Sequence, residues 1–506
     1  MRRSSRAALL AAVLSIAGPA LAGEPDTFRC EARGGPAWRE YRTSHFDVAT
    51  DMGAARAEAL VGNLEYLHAL VVQAVVGDGV EIPGRVRVIA FASPREFALR
   101  TGSSDVKGFF GVGRFHTPII SLVGEGFHAN EQTVAHELAH HVSRYLFARQ
   151  PRWFSEGLAQ FVQTVGRVRG ETAAPLGSHV VRGDRDGGGR WAGGAPAELV
   201  EFLHVERGSM PLDLLAWVGR PGKGEGARYY AWSWLLYHWL WNTRPKEFSA
   251  FTARLSEAED PASAWRAAFP DLDPTRPGAL DELERKLDLY RRNGRFMRYA
   301  VKATPDTRFT VAPLPPAEVH VLLSEVRRRP LTDEQFRAEM EEALREQPHH
   351  PLAIAATVAD LARRAEALRA AAAARPDDWR AWLLLGQALD REKEAAEKEA
   401  ALRKAVALNA GGATARNELA WLLVHTGRAK EALPHANAAL DLAPWSAAIV
   451  DTLAVTALEL GKCREALVLA QRALALVPDE ANEQRARLVE TLARIEARCP
   501  APAPPR

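Results

Sequence analysis

Val134-Ala135-His136-Glu137-Leu138-Ala139-His140-His141-Val142, followed by Trp153-Phe154-Ser155-Glu156-Gly157-Leu158-Ala159-Gln160-Phe161, is the segment around which the rest of the chain is organised. Two histidines four residues apart on a helix differ by about 40° around its axis and about 6 Å along it. Both imidazoles then project from one face and can share a metal ion. Glu137 is turned aside, where it can stay off the metal and act as a general base. Val134, Ala135, Leu138, Ala139 and Val142 make the helix mostly buried. Two imidazoles and a carboxylate need a reason to sit in such a helix.

A bare H-E-x-x-H also fits a solvated helix face with two ordinary histidines. The second motif argues against that reading. Fifteen residues separate His140 from Glu156. Two histidines and one carboxylate leave zinc a fourth position for water, the open arrangement of a catalytic site. Gly157 and Ala159 carry almost no side chain, so a second helix can approach the first closely. With H-E-L-x-H followed by W-x-x-E-G-x-A, the chain resembles the gluzincin metallopeptidases, and more narrowly the peptidase MA-like domains. The resemblance implies an α+β zincin-like catalytic domain holding one Zn²⁺ per chain. It implies that His136, His140 and Glu156 are the zinc ligands and Glu137 the general base. In some gluzincins a later Tyr or His stabilises the tetrahedral intermediate. By that likeness Tyr229 or Tyr230, in the aromatic helix 228–241, takes this role, with core packing as the plainer alternative. His141 reads as a neighbour rather than a ligand, and His238 as a core or surface histidine.

The 506 residues leave room for several domains, with 25% charged residues and a formal charge of +2. Residues 1–22 read as a secretory signal peptide, with Arg2, Arg3 and Arg6 before an apolar core and Ala20-Leu21-Ala22 as cleavage site. Loss of these arginines brings the mature chain to about −1, no basis for nucleic-acid or membrane-surface binding. The mature protein is expected to be exported, to the periplasm or beyond, with no membrane span. An oxidising compartment permits one disulfide among Cys30, Cys463 and Cys499. Cys463 and Cys499 are the favoured pair because both fall in one helical region; free thiols are the alternative.

Residues 23–300 read as the catalytic domain. Alternation predicts a strand at 45–49, the segments 86–91 and 118–123 read as further strands, and periodicity predicts helices over 54–76 and 93–100. Residues 108–113 read as turn-rich, and Asn130 as the N-cap of the histidine helix. In gluzincins an edge strand ahead of that helix pairs with extended substrate; the region before it resembles this arrangement. Residues 183–194 read as a mobile glycine-rich loop. Prolines accumulating around 304–316 mark a boundary, with 301–344 as a linker or irregular helical segment.

A second pattern fills the C-terminal third. Leu385, Leu419 and Leu453 share a 34-residue period with Gly386, Ala420 and Ala454, and with Ala371, Ala405, Ala439 and Ala473. This period resembles tetratricopeptide (TPR) repeats. The small residues let paired helices pack closely. Residues 379–412, 413–446 and 447–480 are three good repeats, 345–378 a degenerate one, and 483–498 a capping helix. The all-α solenoid thus covers 345–498, before a Pro-rich tail over 499–506 expected to be disordered. Lys398 breaks the small-residue pattern.

Together the motifs imply an exported zinc metallopeptidase that cleaves a peptide or protein substrate, with a TPR surface that docks a partner protein. The alternative is an envelope TPR scaffold whose zinc domain is structural or catalytically idle.

Overall fold

A computed structural model describes residues 27–77, 81–102, 108–124, 127–163, 174–176, 210, 214–215, 226–293, 299–301, 303–326, 332–477 and 482–499. The expected signal peptide, the glycine-rich segment 183–194 and the tail beyond Cys499 lie outside the described residues. The N-terminal part runs β1 (Arg39–Arg42), β2 (Phe46–Thr50), α1 (Ala54–Val75), β3 (Val86–Phe91), α2 (Pro94–Thr101), β4 (Gly108–Val112), β5 (Pro118–Val123), α3 (Phe127–Leu146) and α4 (Arg152–Val162). There follow β6 (Ala174–Leu176), α5 (Gly226–Thr243), α6 (Pro245–Ser256), α7 (Pro261–Ala268), α8 (Ala279–Asn293), β7 (Tyr299–Val301), β8 (Thr310–Pro313), α9 (Pro316–Glu325) and α10 (Asp333–Glu346). The remaining helices are α11 (Pro351–Thr357), α12 (Leu361–Ala374), α13 (Trp379–Ala388), α14 (Ala395–Leu408), α15 (Ala413–His425), α16 (Ala429–Leu442), α17 (Ala447–Glu459), α18 (Cys463–Ala475) and α19 (Asn482–Arg498).

Six strands form one mixed sheet in the order β4-β5-β3-β2-β1-β8. Strands β2, β3 and β5 run parallel, and β4, β1 and β8 are antiparallel to their neighbours. Side chains on a strand alternate between faces, and both faces here are covered. Phe46, Val48, Val86, Val88, Ile120 and Leu122 join one core with α1, α3 and α4. Ala49, Ile89, Phe91, Ile119 and Val123 join another with Phe28, Trp38 and the α9 residues Val319, Leu322 and Leu323. Strand β5 is buried along its whole length, which is why its sequence reads as a continuous apolar run.

Three local expectations are corrected. Residues 108–112 are the edge strand β4, paired antiparallel to β5, rather than a turn-rich segment. Its glycines hide the strand signal, and Gly108 has a packing reason. A Cβ there would lie 3.1 Å from the Ser121 carbonyl oxygen and 3.2 Å from the Thr133 side chain on α3. The edge strand near the histidine helix is therefore β4, while β5 lies inside the sheet. Helix α3 starts at Phe127, so Asn130 lies within it rather than capping it. Of the two readings of segment 301–344, the helical one holds, since α9 and most of α10 fall in it, and it is no linker. Strand β8 pairs with β1, Val311 opposite Tyr41, and α9 covers the second face of the sheet.

The C-terminal array has the expected period, because α13, α15 and α17 start at Trp379, Ala413 and Ala447. Gly386 belongs to the small-residue column: a Cβ there would lie 2.7 Å from Leu402 of the paired helix. Lys398 breaks the pattern for a local reason. Its Nζ donates to the Gly386 and Leu389 carbonyls at 2.7 and 3.1 Å, satisfying carbonyls at the end of α13. Cys463 and Cys499 form a disulfide with Cα atoms 5.4 Å apart, tying the last helix to the last hairpin. Cys30 is a buried free thiol. Among the described residues no helix is long and apolar enough to cross a membrane.

The array is welded to the sheet domain. Glu318 on α9 pairs with Arg380 at 2.6 Å, Arg375 at 3.2 Å and His350 at 3.3 Å. Burial works to raise the Glu318 pKa, but the Arg380 charge outweighs it and holds the carboxyl far below its ordinary range. Nearer the histidine helix, the turn 114–116 brings Phe115 to 5.2 Å from Trp379, and the His116 ring to 3.0 Å from the Thr414 hydroxyl. Phe115 and His116 both have φ of 62°. That left-handed backbone is costly for non-glycine residues and is held here between two domains.

Under the sheet, His68 of α1 is buried and stacks on His45 with ring centroids 4.2 Å apart. Burial, aided by the His45 charge and opposed by Glu65, pushes the His68 pKa down to about 4. Between pH 6.5 and 4 the unfolded chain then binds a proton at this ring that the folded chain refuses, so stability is lost on acidification. The cost reaches about 3 kcal/mol once pH falls to 4. Urea unfolding from pH 7 to 4 is expected to show this loss in the native chain and a flatter profile in His68→Phe. Equal slopes in the two would contradict it.

Candidate metal centre

Helices α3 and α4 bring the predicted ligands together. His136 and His140 lie one turn apart on α3, with Nε2 atoms 3.1 Å apart and rings at 83°. Glu156 projects from α4, and its Oε2 lies 3.5 Å from each Nε2. The three side chains are 15–17% exposed, so the site is mostly withdrawn from water without being sealed. Glu137 is half-buried beside them and has no hydrogen-bond partner among the described residues.

The spacing fits a metal ion. Bonds of about 2.0–2.1 Å in a tetrahedron put ligand atoms roughly 3.3 Å apart, and the observed separations are 3.1, 3.5 and 3.5 Å. Two imidazole nitrogens facing each other at that distance need a proton or a cation between them. Tautomers are set from behind. The Gln163 amide donates to Gln160, which leaves its Oε1 to accept from His136 Nδ1 at 3.0 Å. His140 Nδ1 lies 3.0 Å from the Ser155 hydroxyl. With the protons on Nδ1, both Nε2 lone pairs face the shared point.

Charge follows the same geometry. Without a metal, burial works to raise the Glu156 pKa, but the charge on protonated His140 and the hydrogen bonds that Nε2-protonated imidazoles donate hold the carboxyl well below its ordinary range. Burial pulls the His136 pKa down; Glu156, with Glu137 nearby, reverses the direction and raises it. The second Glu156 oxygen faces Arg152 at 3.9 Å. Arg152 stacks over the rings of Tyr229 and Tyr230, 5.4 and 6.0 Å from their centroids, and its Nη2 lies 3.4 Å from the Tyr230 hydroxyl. The two tyrosines are thus joined to the site through Arg152. Tyr229 is fully buried, whereas Tyr230 is partly exposed.

Gly157 serves a different neighbour from the one expected. A Cβ there would lie 2.6 Å from the Ser233 carbonyl oxygen and 2.8 Å from Tyr237 Cβ, so it admits α5 rather than α3. His141 points away from the site; its buried ring packs on Tyr145, and Nδ1 lacks a partner among the described residues. His238 is buried and bonded to the Tyr290 hydroxyl at 2.9 Å.

A second trio, His45, Glu65 and His68, also gathers possible ligand atoms. Its chemistry differs. Glu65 is already bonded to the His45 ring at 2.7 Å and to the His45 backbone N–H at 3.0 Å. The His45 and His68 rings are stacked at 24°, so their in-plane lone pairs run side by side instead of converging.

Sequence reasoning missed Ser155, Gln163 and Arg152. The signals are helical spacings: Arg152 and Gln163 stand four residues before and seven after Glu156, on its face of α4.

No family model matches this chain, and no curated protein matches it. Among solved structures it is similar to a thermophilic TPR protein of Thermus thermophilus, at 21% identity, covering 35% of this chain and 97% of that chain, with a TM-score of 0.28. It is also similar to YrrB, described as a TPR protein with an unusual peptide-binding site, at 19% identity, covering 34% and 88%, with a TM-score of 0.26. A MamA structure is similar at 16% identity, covering 34% and 89%, with a TM-score of 0.24. The repeat assignment here rests on the helix lengths and their 34-residue spacing.

Removing a partner behind a metal ligand typically weakens binding 10–100-fold, or about tenfold at the mild end. Ser155→Ala and Gln163→Ala are each expected to weaken zinc binding within that range, measured by competition with a chromogenic chelator. Unchanged zinc affinity in both would contradict the assigned roles.

Proposed function

We propose that this chain is an exported zinc-dependent metallopeptidase. The observation that carries the reading is the meeting of His136 Nε2, His140 Nε2 and Glu156 Oε2, with Glu137 beside them and bonded to none of the three. A zinc ion held by these three groups would polarise a substrate carbonyl and lower the pKa of water towards roughly 7. Glu137 is the base: its carboxylate takes a proton from the attacking water and passes it to the leaving nitrogen as the C–N bond breaks. Gln163 and Ser155 hold the imidazoles in the ligating tautomer. Arg152 fixes the Glu156 carboxylate and couples it to Tyr230. A Tyr230 hydroxyl contribution to the developing oxyanion is part of the proposal; the buried Tyr229 is assigned to packing. Export rests on the features of residues 1–22. The repeat array is proposed to present a protein or peptide partner.

A second reading is an envelope scaffold with an idle metal domain. The observation that favours it is the array itself, three hairpins in register that leave Trp382 and Trp421 partly exposed. A carboxylate at Glu137 that ligates nothing argues for catalysis, since a structural site has no use for it.

Glu137→Gln separates the two. On an N-acetylated peptide library followed by mass spectrometry, the native chain is expected to cleave. The variant is expected to keep its zinc and lose about 100-fold or more in turnover. Equal turnover would remove Glu137 from the mechanism. A zinc-loaded native chain that cleaves nothing would favour the scaffold.

A further inference from the structure

A cleft of about 450 Å³ opens beside the metal centre. His140 and Glu156 line it, together with Arg144, Gln150, and Ala475 and Leu476 from the end of the last repeat hairpin. The helical array therefore forms part of the cleft in which a substrate of this centre would lie.

Arg144 follows His140 by four residues and His136 by eight, so all three project from one face of α3. It lies one turn, about 6 Å, further along the axis. Its guanidinium stacks over the Trp445 ring, 5.2 Å from the centroid, and Tyr145 meets the same indole edge-on at 4.7 Å. Stacking uses the face of the guanidinium. The edge, which carries five N–H donors, remains for an acceptor.

The neighbouring arginines are already engaged. Arg149 pairs with Asp260 at 2.8 Å, and Arg152 faces Glu156 and Tyr230. Arg144 has neither a carboxylate nor a hydrogen-bond acceptor among the described residues, although burial disfavours its charge and lowers its pKa. A half-buried guanidinium without an anion is costly, and a planar two-oxygen group matches its fork.

We propose that Arg144, held by Trp445, binds a carboxylate of the peptide substrate within this cleft. The carboxylate is either the C-terminus of the peptide or an Asp or Glu side chain. The inference rests on the peptidase reading for the word substrate, and on the cleft and Arg144 for the rest. It gives the array a role at the site: Trp445 is a positioning residue for Arg144, and Leu476 supplies an apolar wall.

The test uses the mature chain, residues 23–506, carrying Glu137→Gln so that peptides stay uncut. Three N-terminally dye-labelled peptide pools are titrated and followed by fluorescence anisotropy. One ends in a free carboxylate with no acidic residue, one is amidated with no acidic residue, and one is amidated with a single Glu. At least one carboxylate pool is expected to bind about tenfold more tightly than the neutral pool, a step worth about 1.4 kcal/mol. Which pool gains identifies the source of the carboxylate. Adding Arg144→Gln is expected to abolish the difference, and Arg144→Lys, which keeps the charge without the fork, to retain part of it. Equal binding of all pools, or a preference that survives Arg144→Gln, would overturn the proposal. Zinc content of the same samples reports separately on the underlying reading. Selective binding by protein that holds no metal after zinc incubation would leave Arg144 in place and remove the peptidase.

Discussion

His136 Nε2, His140 Nε2 and Glu156 Oε2, from two helices, meet within 3.5 Å while their side chains are mostly withdrawn from water. This constraint organises the N-terminal half. Two imidazole nitrogens and a carboxylate oxygen gain little from proximity alone, and burial of the carboxylate is opposed by its own desolvation. The arrangement is held by what stands behind it. Gln163 and Ser155 hydrogen-bond the rings, Arg152 faces the carboxylate at 3.9 Å, and α5 packs against α4 through the gap left at Gly157. The aromatic mass around Trp153, Phe251 and Trp265 makes that placement stiff.

The array is the other half of the same design. It meets the sheet domain at the strained turn 114–116, at the Glu318 ion cluster and at Trp445. A repeat array that served only to carry a partner would have no need to seat an indole on Arg144, one turn from His140. Joining the two halves this way makes the width of the cleft a property of domain packing. The Glu318 cluster matters here because a carboxylate shared among Arg380, Arg375 and His350 is hard to break in part; removing one partner leaves buried charge uncompensated.

The parts legible in the sequence were those with a short period. The spacing of His136, His140 and Glu156, the alternation along β2, and the 34-residue columns all report local geometry directly. The edge strands were not legible. Gly108 and Gly111 make β4 resemble a turn, yet Gly108 is there because α3 passes close by. Strand β8 is four residues long and exposed, and it exists only because β1, far earlier in the chain, offers it an edge. Gly157 was legible as a close approach, but which helix approaches was not. Arg144 stood one turn beyond His140 in plain view; its meaning depends on Trp445, which no spacing connects to it. Lys398, an apparent fault in the repeat, is a helix-end ligand for two carbonyls.

The central claim is that α3 and α4 hold one metal ion between His136, His140 and Glu156. The decisive measurement is zinc K-edge X-ray absorption on purified residues 23–506, with metal content from mass spectrometry on the same sample. About one zinc per chain is expected, in a shell of nitrogen and oxygen ligands at about 2.0–2.2 Å with two imidazoles in its outer scattering. No zinc after incubation with the metal, or a shell without imidazole, would contradict it.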